Sequence, residues 1–197
     1  MFLSSLAISQ MVSQGQIRIE PFERNRLKPA SYLLHLGSRF RRWKYSQSPI
    51  EIWAKDACVD RLEPFEETDS ITIEAGGFVL ACSIERISMP VSHLGLVTTL
   101  SHLARVGISL QLNANLVSPG FGSSGPTHLA FEIANHNPNP IRLRAGMPVG
   151  HLCIAAVSCP AVEDIVLGTS VYEMRDPLDA PILFEELSQL GLLRSPV

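Results

Sequence analysis

The sequence predicts a mainly β chain, and three observations carry that prediction. Short segments alternate apolar and polar residues with period two, Gly, Pro and Asn residues punctuate them, and they recur at roughly ten-residue intervals. Helical spacing is confined to short stretches near the two ends and to one stretch before Gly107. The implied architecture is a barrel or a sandwich with short peripheral helices.

The elements follow in order. Leu3, Leu6, Ala7 and Met11 stand near helical spacing, and Gly15 supplies a stop. This stretch has no basic flank and no apolar run long enough to span a bilayer, so an amphipathic first helix is expected. Gln16 to Glu20 alternates and closes at Pro21; Ser31 to Phe40 is a second strand with a break at Gly37. Ser70 to Ile73 alternates, Gly76-Gly77 turns, and Phe78 to Ile84 is a buried run ending before Met89-Pro90. Ser101 to Val106 has the spacing of a short helix. Leu129 to Ala134 and Ile141 to Leu143 are expected to pair as a hairpin across the polar turn Asn135 to Pro140. Pro160, Pro177 and Pro181 interrupt the last forty residues, and Ile182 to Leu193 is a helix candidate through Leu183, Phe184, Leu187 and Leu190.

Composition bounds the function. A chain of 197 residues with 46% hydrophobic and 18% charged residues is expected to be one globular domain with its core over about residues 16–157 and an irregular segment over 158–197. The net charge of -3 offers no general attraction to nucleic acid or acidic membranes, so a polyanion must be held by a few local cations. Cys58, Cys82, Cys153 and Cys159 form no CxxC and are expected to be reduced packing residues in a cytoplasmic protein.

Polar residues that can do chemistry concentrate between Thr98 and His151. Alternation puts Phe131 and Ile133 on one face and Glu132 on the other. A solvent-facing strand glutamate is one reading of Glu132. A cavity-facing one, with its pKa raised into the range of proton transfer, is the other. Arg105 stands four residues after Ser101, so one helical turn aligns a hydroxyl and a guanidinium toward phosphate oxygens or a water. A surface ion pair for Arg105 and an N-cap for Ser101 remain the plainer alternatives. Pro119-Gly120-Phe121-Gly122 is a tight turn where glycine permits close approach to a ligand. Zinc chemistry lacks its HxE and PCxxC signature, and His151 with Cys153 has no second pair of ligands. No metal and no essential cofactor are expected. A GxSxG elbow, a P-loop and a GxGxxG fingerprint are also absent from the sequence.

An ordered set of segments resembles the dCTP deaminase family of the dUTPase superfamily. Ser101-His102-Leu103-Ala104-Arg105-Val106-Gly107 is similar to the family's S-S-L-A-R-x-G. Asn113-Ala114 with Ser118-Pro119-Gly120-Phe121 is similar to T-A and D-P-G-F. Phe131 to Asn135 matches L-E-x-x-N, Ala145 to Gly150 matches P-G-M-x-I-G, and Ala30 to Gly37 matches A-S-Y-D-L-R-L-G. The resemblance implies a distorted β-barrel, a homotrimer with sites shared between subunits, and deamination of a pyrimidine deoxynucleotide without zinc. It implies Glu132 as general base, with Ser101, Arg105 and the Ala114 carbonyl holding the water. Gln111, Asn113, Ser118, Gly120, Phe121 and His151 would contact substrate, and Mg2+ would accompany a triphosphate.

The departures are specific. Leu100 stands where the family carries a base for triphosphate, and Ser118 where it carries an acid near the sugar. Leu116, Leu33 and His151 replace further polar positions, and Tyr172 and Arg175 are poor substitutes for the family's closing tail. Each charge-assisted bond lost typically costs about 1.5–3 kcal/mol. dCTP to dUTP is therefore the leading expectation, with a different or less phosphorylated pyrimidine also open. A non-catalytic trimeric nucleotide-binding or regulatory relative is the alternative, and a dUTPase is disfavoured by Ser118.

Overall fold

In the computed structural model, which describes residues 1–110, 114–160, 176–189 and 191, the chain begins with helix α1 (Ser5–Ser13). Ser4 caps it by accepting from the Ala7 N–H at 3.3 Å, and Gly15, at φ +71°, ends it. The buried face turns on Ile8, with Leu3, Met11 and Val12 against the core. Leu6, expected on the packed stripe, is instead exposed. Two backbone bonds, Leu3 N–H to Ile154 and Ser5 N–H to Pro29, fix the helix orientation and turn Leu6 outward.

Twelve strands follow: β1 (Arg18–Glu20), β2 (Leu27–Lys28), β3 (Ser31–Arg41), β4 (Glu66–Glu67), β5 (Ser70–Ile73) and β6 (Phe78–Ser88), then β7 (His93–Thr99), β8 (Ile108–Ser109), β9 (Leu116–Val117), β10 (Thr127–Asn135), β11 (Ile141–Arg144) and β12 (Pro148–Ala156). The main sheet is a curled half-barrel ordered β8-β10-β6-β3-β12-β7-β9, with β1 on β6 and β2 and β4 on β3. Helix α2 (Ser101–Arg105) links β7 to β8, and α3 (Leu183–Gln189) lies near the C-terminus. The fold is mainly β with few short helices, as the sequence implied. None of the described helices is long and apolar enough to cross a membrane.

Gly37 does not break β3. A Cβ there would lie 2.9 Å from the Cys82 carbonyl oxygen, so glycine lets the strand pass against β6 while the register shifts between Leu36 and Phe40. The expected hairpin between Leu129–Ala134 and Ile141–Leu143 does not form. β10 pairs with β6 along most of its length and with β8 at Ala134 and Asn135, the end next to the turn, and β11 pairs with β5 instead. Asn135 directs that crossing. Its buried amide shares its protons among the carbonyls of Ile73, Glu74 and Asn139, and its Oδ1 accepts from the Asn137 N–H at 2.9 Å.

Two apolar clusters hold the sheet. The larger fills its concave side with Tyr32, Leu34, Phe40, Val79, Ala81, Phe131, Ile133, Leu152 and their neighbours. A smaller one joins Leu80 and Cys82 of β6 to Cys58, Leu62, Leu178 and Ala180. The four cysteines are free, Cys58 and Cys82 buried, Cys153 half-buried and Cys159 exposed. The larger cluster abuts a buried charge group: Glu85 accepts from Arg26 at 2.6 Å and from the His35 N–H at 2.9 Å, with His35 Nδ1 2.8 Å away. The helix expected over Ile182 to Leu193 is observed as Leu183–Gln189; residues 190 and 192–197 lie outside the described residues.

Asn135→Ala is expected to lower unfolding stability by about 2 kcal/mol, because it strands buried carbonyls that the amide satisfies. Urea denaturation of the variant against the parent measures this; an unchanged midpoint would remove Asn135 from the crossing.

Candidate active site

Glu132 sits in the middle of β10, directly across from Leu80 of β6. Its neighbours Phe131 and Ile133 are fully buried in the larger cluster, so alternation aims the Glu132 side chain at the opposite face. That face is not open water. Leu80, Cys82 and the smaller cluster lie beside it, and Glu132 Oε2 is buried with no hydrogen-bond partner among the described residues. Burial pushes the carboxyl from 4.5 up to about 7, opposed only by a bond to its own backbone. Glu132 is therefore partly buried rather than fully solvent-facing, and burial strengthens its hold on a proton.

Helix α2 exposes both Ser101 and Arg105 while Leu103 is buried between them. Leu100 occupies the N-cap, so Ser101 does not cap the helix with its side chain. Arg105 has no ion-pair partner among the described residues, so it is not a surface bridge either. The two side chains stand one turn apart, unspent. Ala114 is exposed at the start of the segment that leads into β9, where the next carbonyl, Asn115, accepts from Val97 at 2.9 Å.

The Pro-Gly-Phe turn is pinned to the end of β6. Phe121 N–H donates to the Ser118 carbonyl at 3.1 Å, and the Phe121 carbonyl accepts from Met89 at 2.8 Å. Gly120 is buried at φ +81°, and a side chain at Gly122 would collide with the Ile87 carbonyl. The Phe121 ring packs against the main core, and Ser118 is exposed. His151 of β12 is half-buried, with Nδ1 2.9 Å from Ser31 Oγ; burial, then Lys28, lowers its pKa. Gln111 and Asn113 lie outside the described residues. No group of three His, Cys, Asp or Glu side chains among the described residues is arranged for a metal.

Among the described residues, no hydrogen bond or ion pair links Glu132 to Ser101, Arg105 or His151. β10 and β12 are separated by β6 and β3, three strand spacings or roughly 14 Å along the sheet. Glu132 thus presents a desolvated carboxyl, and α2 presents a hydroxyl and a cation without a partner among the described residues. Sequence reasoning missed the apolar cover over Glu132, because Leu80, Cys82 and Leu178 come together only in the folded sheet.

A family model described as dCTP deaminase-like matches residues 2–157. A Streptomyces avermitilis protein named "dCTP deaminase, dUMP-forming" is 31% identical over 162 residues, covering 82% of this chain and 83% of the relative. One of the same name from Methanoregula boonei is 30% identical over 152 residues, covering 77% of this chain and 80% of that protein. Among solved structures, 2'-deoxycytidine 5'-triphosphate deaminase from Agrobacterium tumefaciens superposes with a TM-score of 0.59 at 19% identity. That match covers 87% of this chain but 53% of the other, so the present chain spans about half of it.

The raised Glu132 pKa fixes the sign of a stability effect. The folded state holds this proton more tightly than the unfolded state does, so the contribution is fully present below about pH 4.5 and is lost as pH rises through about 7. Glu132→Gln is expected to unfold at higher denaturant than the parent at pH 8, with the gap closing toward pH 4. A pH-independent difference would show that the carboxyl is not desolvated.

Proposed function

The chain belongs to the dCTP deaminase-like family, and from that premise we propose that it catalyses the zinc-independent hydrolytic deamination of dCTP to dUTP and ammonia. The observation that carries the proposal is the buried, unpartnered Glu132 carboxyl with its pKa near neutrality. A base that must take a proton from water and return it later in the cycle works best near that value.

The residues divide the work. Ionised Glu132 takes a proton from a water held by the Ser101 hydroxyl and the Ala114 carbonyl, and the resulting hydroxide attacks C4 of the cytosine ring. Glu132 passes that proton to N3, then takes the proton of the new C4 hydroxyl and delivers it to the amino group, which leaves as ammonia while the C4 carbonyl forms. Arg105 offsets the negative charge that gathers as water attacks. Ser118, Gly120, Phe121 and His151, with Gln111 and Asn113, are assigned to the substrate rim. Mg2+ enters only as the counterion of the triphosphate.

Ser101 and Arg105 are exposed on α2 and bonded to no described residue, which supports a site completed by another copy of the chain, in a homotrimer. One subunit then supplies the carboxyl, and its neighbour the hydroxyl and guanidinium. The partners are a pyrimidine deoxynucleotide and further copies of this chain, not nucleic acid or membrane, and the expected compartment is the cytoplasm.

The names of the relatives favour a second reading, in which the product is dUMP. Release of diphosphate needs a group to activate water against the α-phosphate. The position where the family resemblance places an acid near the sugar is Ser118, exposed and unable to act as that base. dUTP is therefore the product proposed.

Incubation with dCTP, dCMP, deoxycytidine and dUTP, each with Mg2+, separates the readings by ammonia release and chromatography. The expected outcome is ammonia and dUTP from dCTP, with kcat/KM rising with pH to a plateau above about 7. Glu132→Gln is expected to lose roughly 10²–10⁴-fold in kcat, the usual worth of a positioned base. dUMP with diphosphate would establish the second reading. No deamination of any cytosine compound would leave a non-catalytic nucleotide-binding trimer.

A further inference from the structure

The C-terminal segment is fastened across the sheet on the side where Glu132 lies. Asp176 bridges two groups with one carboxylate: Oδ2 accepts from Arg39 Nη2 at 2.7 Å, and Oδ1 accepts from the Leu178 N–H at 3.0 Å. Arg41 Nη1 donates to the Leu178 carbonyl at 3.0 Å and lies 3.8 Å from Asp179 Oδ1. Both backbone polar groups of Leu178 are thereby satisfied, which lets its side chain enter the smaller cluster at 0% exposure. Arg39 and Arg41 are in turn seated over the Phe65 ring, at 4.8 and 4.5 Å.

Register shows what this clasp covers. Arg41 of β3 is the partner of Leu80 of β6, and Leu80 is the partner of Glu132 of β10. Leu80 belongs to the same cluster as Leu178, Ala180 and Cys82. We infer that the segment Asp176–Ile182, held by Arg39 and Arg41, is a positioning element that screens the Glu132 face of the sheet from bulk solvent, with Leu178 as its apolar plug. The inference rests on the proposed role of Glu132 as base, but the cover itself is independent of turnover.

The charged and titratable groups on this face include Cys82 and Arg86 of β6, His128 of β10, Arg39 and Arg41 of β3, Glu67 of β4, and Asp176 and Asp179 of the clasp. None of them contributes to the upward shift of Glu132, which comes from burial. Burial also pushes the Cys82 thiol up to about 11, as expected of a shared dry environment. Loosening the cover should therefore act on Glu132 through hydration.

The test reads Glu132 directly. In the full chain with 13C-labelled glutamate, the resonance missing from Glu132→Gln identifies the carboxyl, and its titration gives the midpoint without any substrate. Leu178→Ala is expected to lower that midpoint by about one unit toward the ordinary carboxylate range, and Leu178→Met to leave it in place. Asp176→Asn removes the ion pair without touching the apolar cluster, and is expected to shift the midpoint in the same direction by less. With dCTP, the acid limb of the deamination profile should move by the same amount. An unmoved Glu132 midpoint in folded Leu178→Ala overturns the inference; if that variant does not fold, an unmoved midpoint in Asp176→Asn does so. A shifted midpoint in a chain that deaminates nothing leaves the cover standing and removes the catalytic reading instead.

Discussion

The register of β10 against β6 is the constraint on which the site depends. Pairing Glu132 with Leu80 places Phe131 and Ile133 in the main core and leaves Glu132 no choice of face. A slip of one residue would bury the carboxylate in the larger cluster and expel Phe131. The core therefore enforces the position of the acid, and the acid's desolvation follows from apolar groups on the sheet's second face. The same two strands thus serve packing on one side and hold the desolvated Glu132 carboxyl on the other.

A second charge group secures the strands from the opposite side of β6. Glu85, fully buried, is held by Arg26 and by both the ring and the backbone N–H of His35. An unpaired carboxylate there would be costly, but these donors satisfy it and tie the loop before β2 to β3 and β6. Glu85 is fully buried and Glu132 partly so, and their environments differ. Glu85 is held by Arg26 and by the His35 backbone N–H, whereas Oε2 of Glu132 has no partner among the described residues. In the proposed reaction, the water that Glu132 deprotonates supplies the missing partner.

Much of this was legible in local spacing. Alternation gave the strands over Ser31 to Phe40, Ser70 to Ile73 and Phe78 to Ile84, and it put Glu132 opposite Phe131. Helical spacing placed Ser101 and Arg105 on one exposed face. What local spacing lacks is the identity of partners. The polar turn after Asn135 looked like a hairpin because alternation says nothing about which edge is free, and here β6 and β8 already flank the end of β10 next to the turn. The Glu85 group joins residues 59 and 50 positions apart, and the Arg39–Asp176 clasp joins residues 137 apart. Such pairs leave no periodic trace. The apolar cover on Glu132 depends on that clasp, so its raised pKa was open in the sequence and decided only by the fold.

The central claim is that Glu132 of one subunit works with Ser101 and Arg105 of another. Two nearly inactive variants, Glu132→Gln and Arg105→Ala, can be unfolded together, refolded as a mixture and assayed for ammonia release from dCTP. Random assembly of shared sites restores activity to about a quarter of the parent level, because some sites receive both intact residues. A mixture no more active than the two variants refolded separately would contradict a site built between subunits.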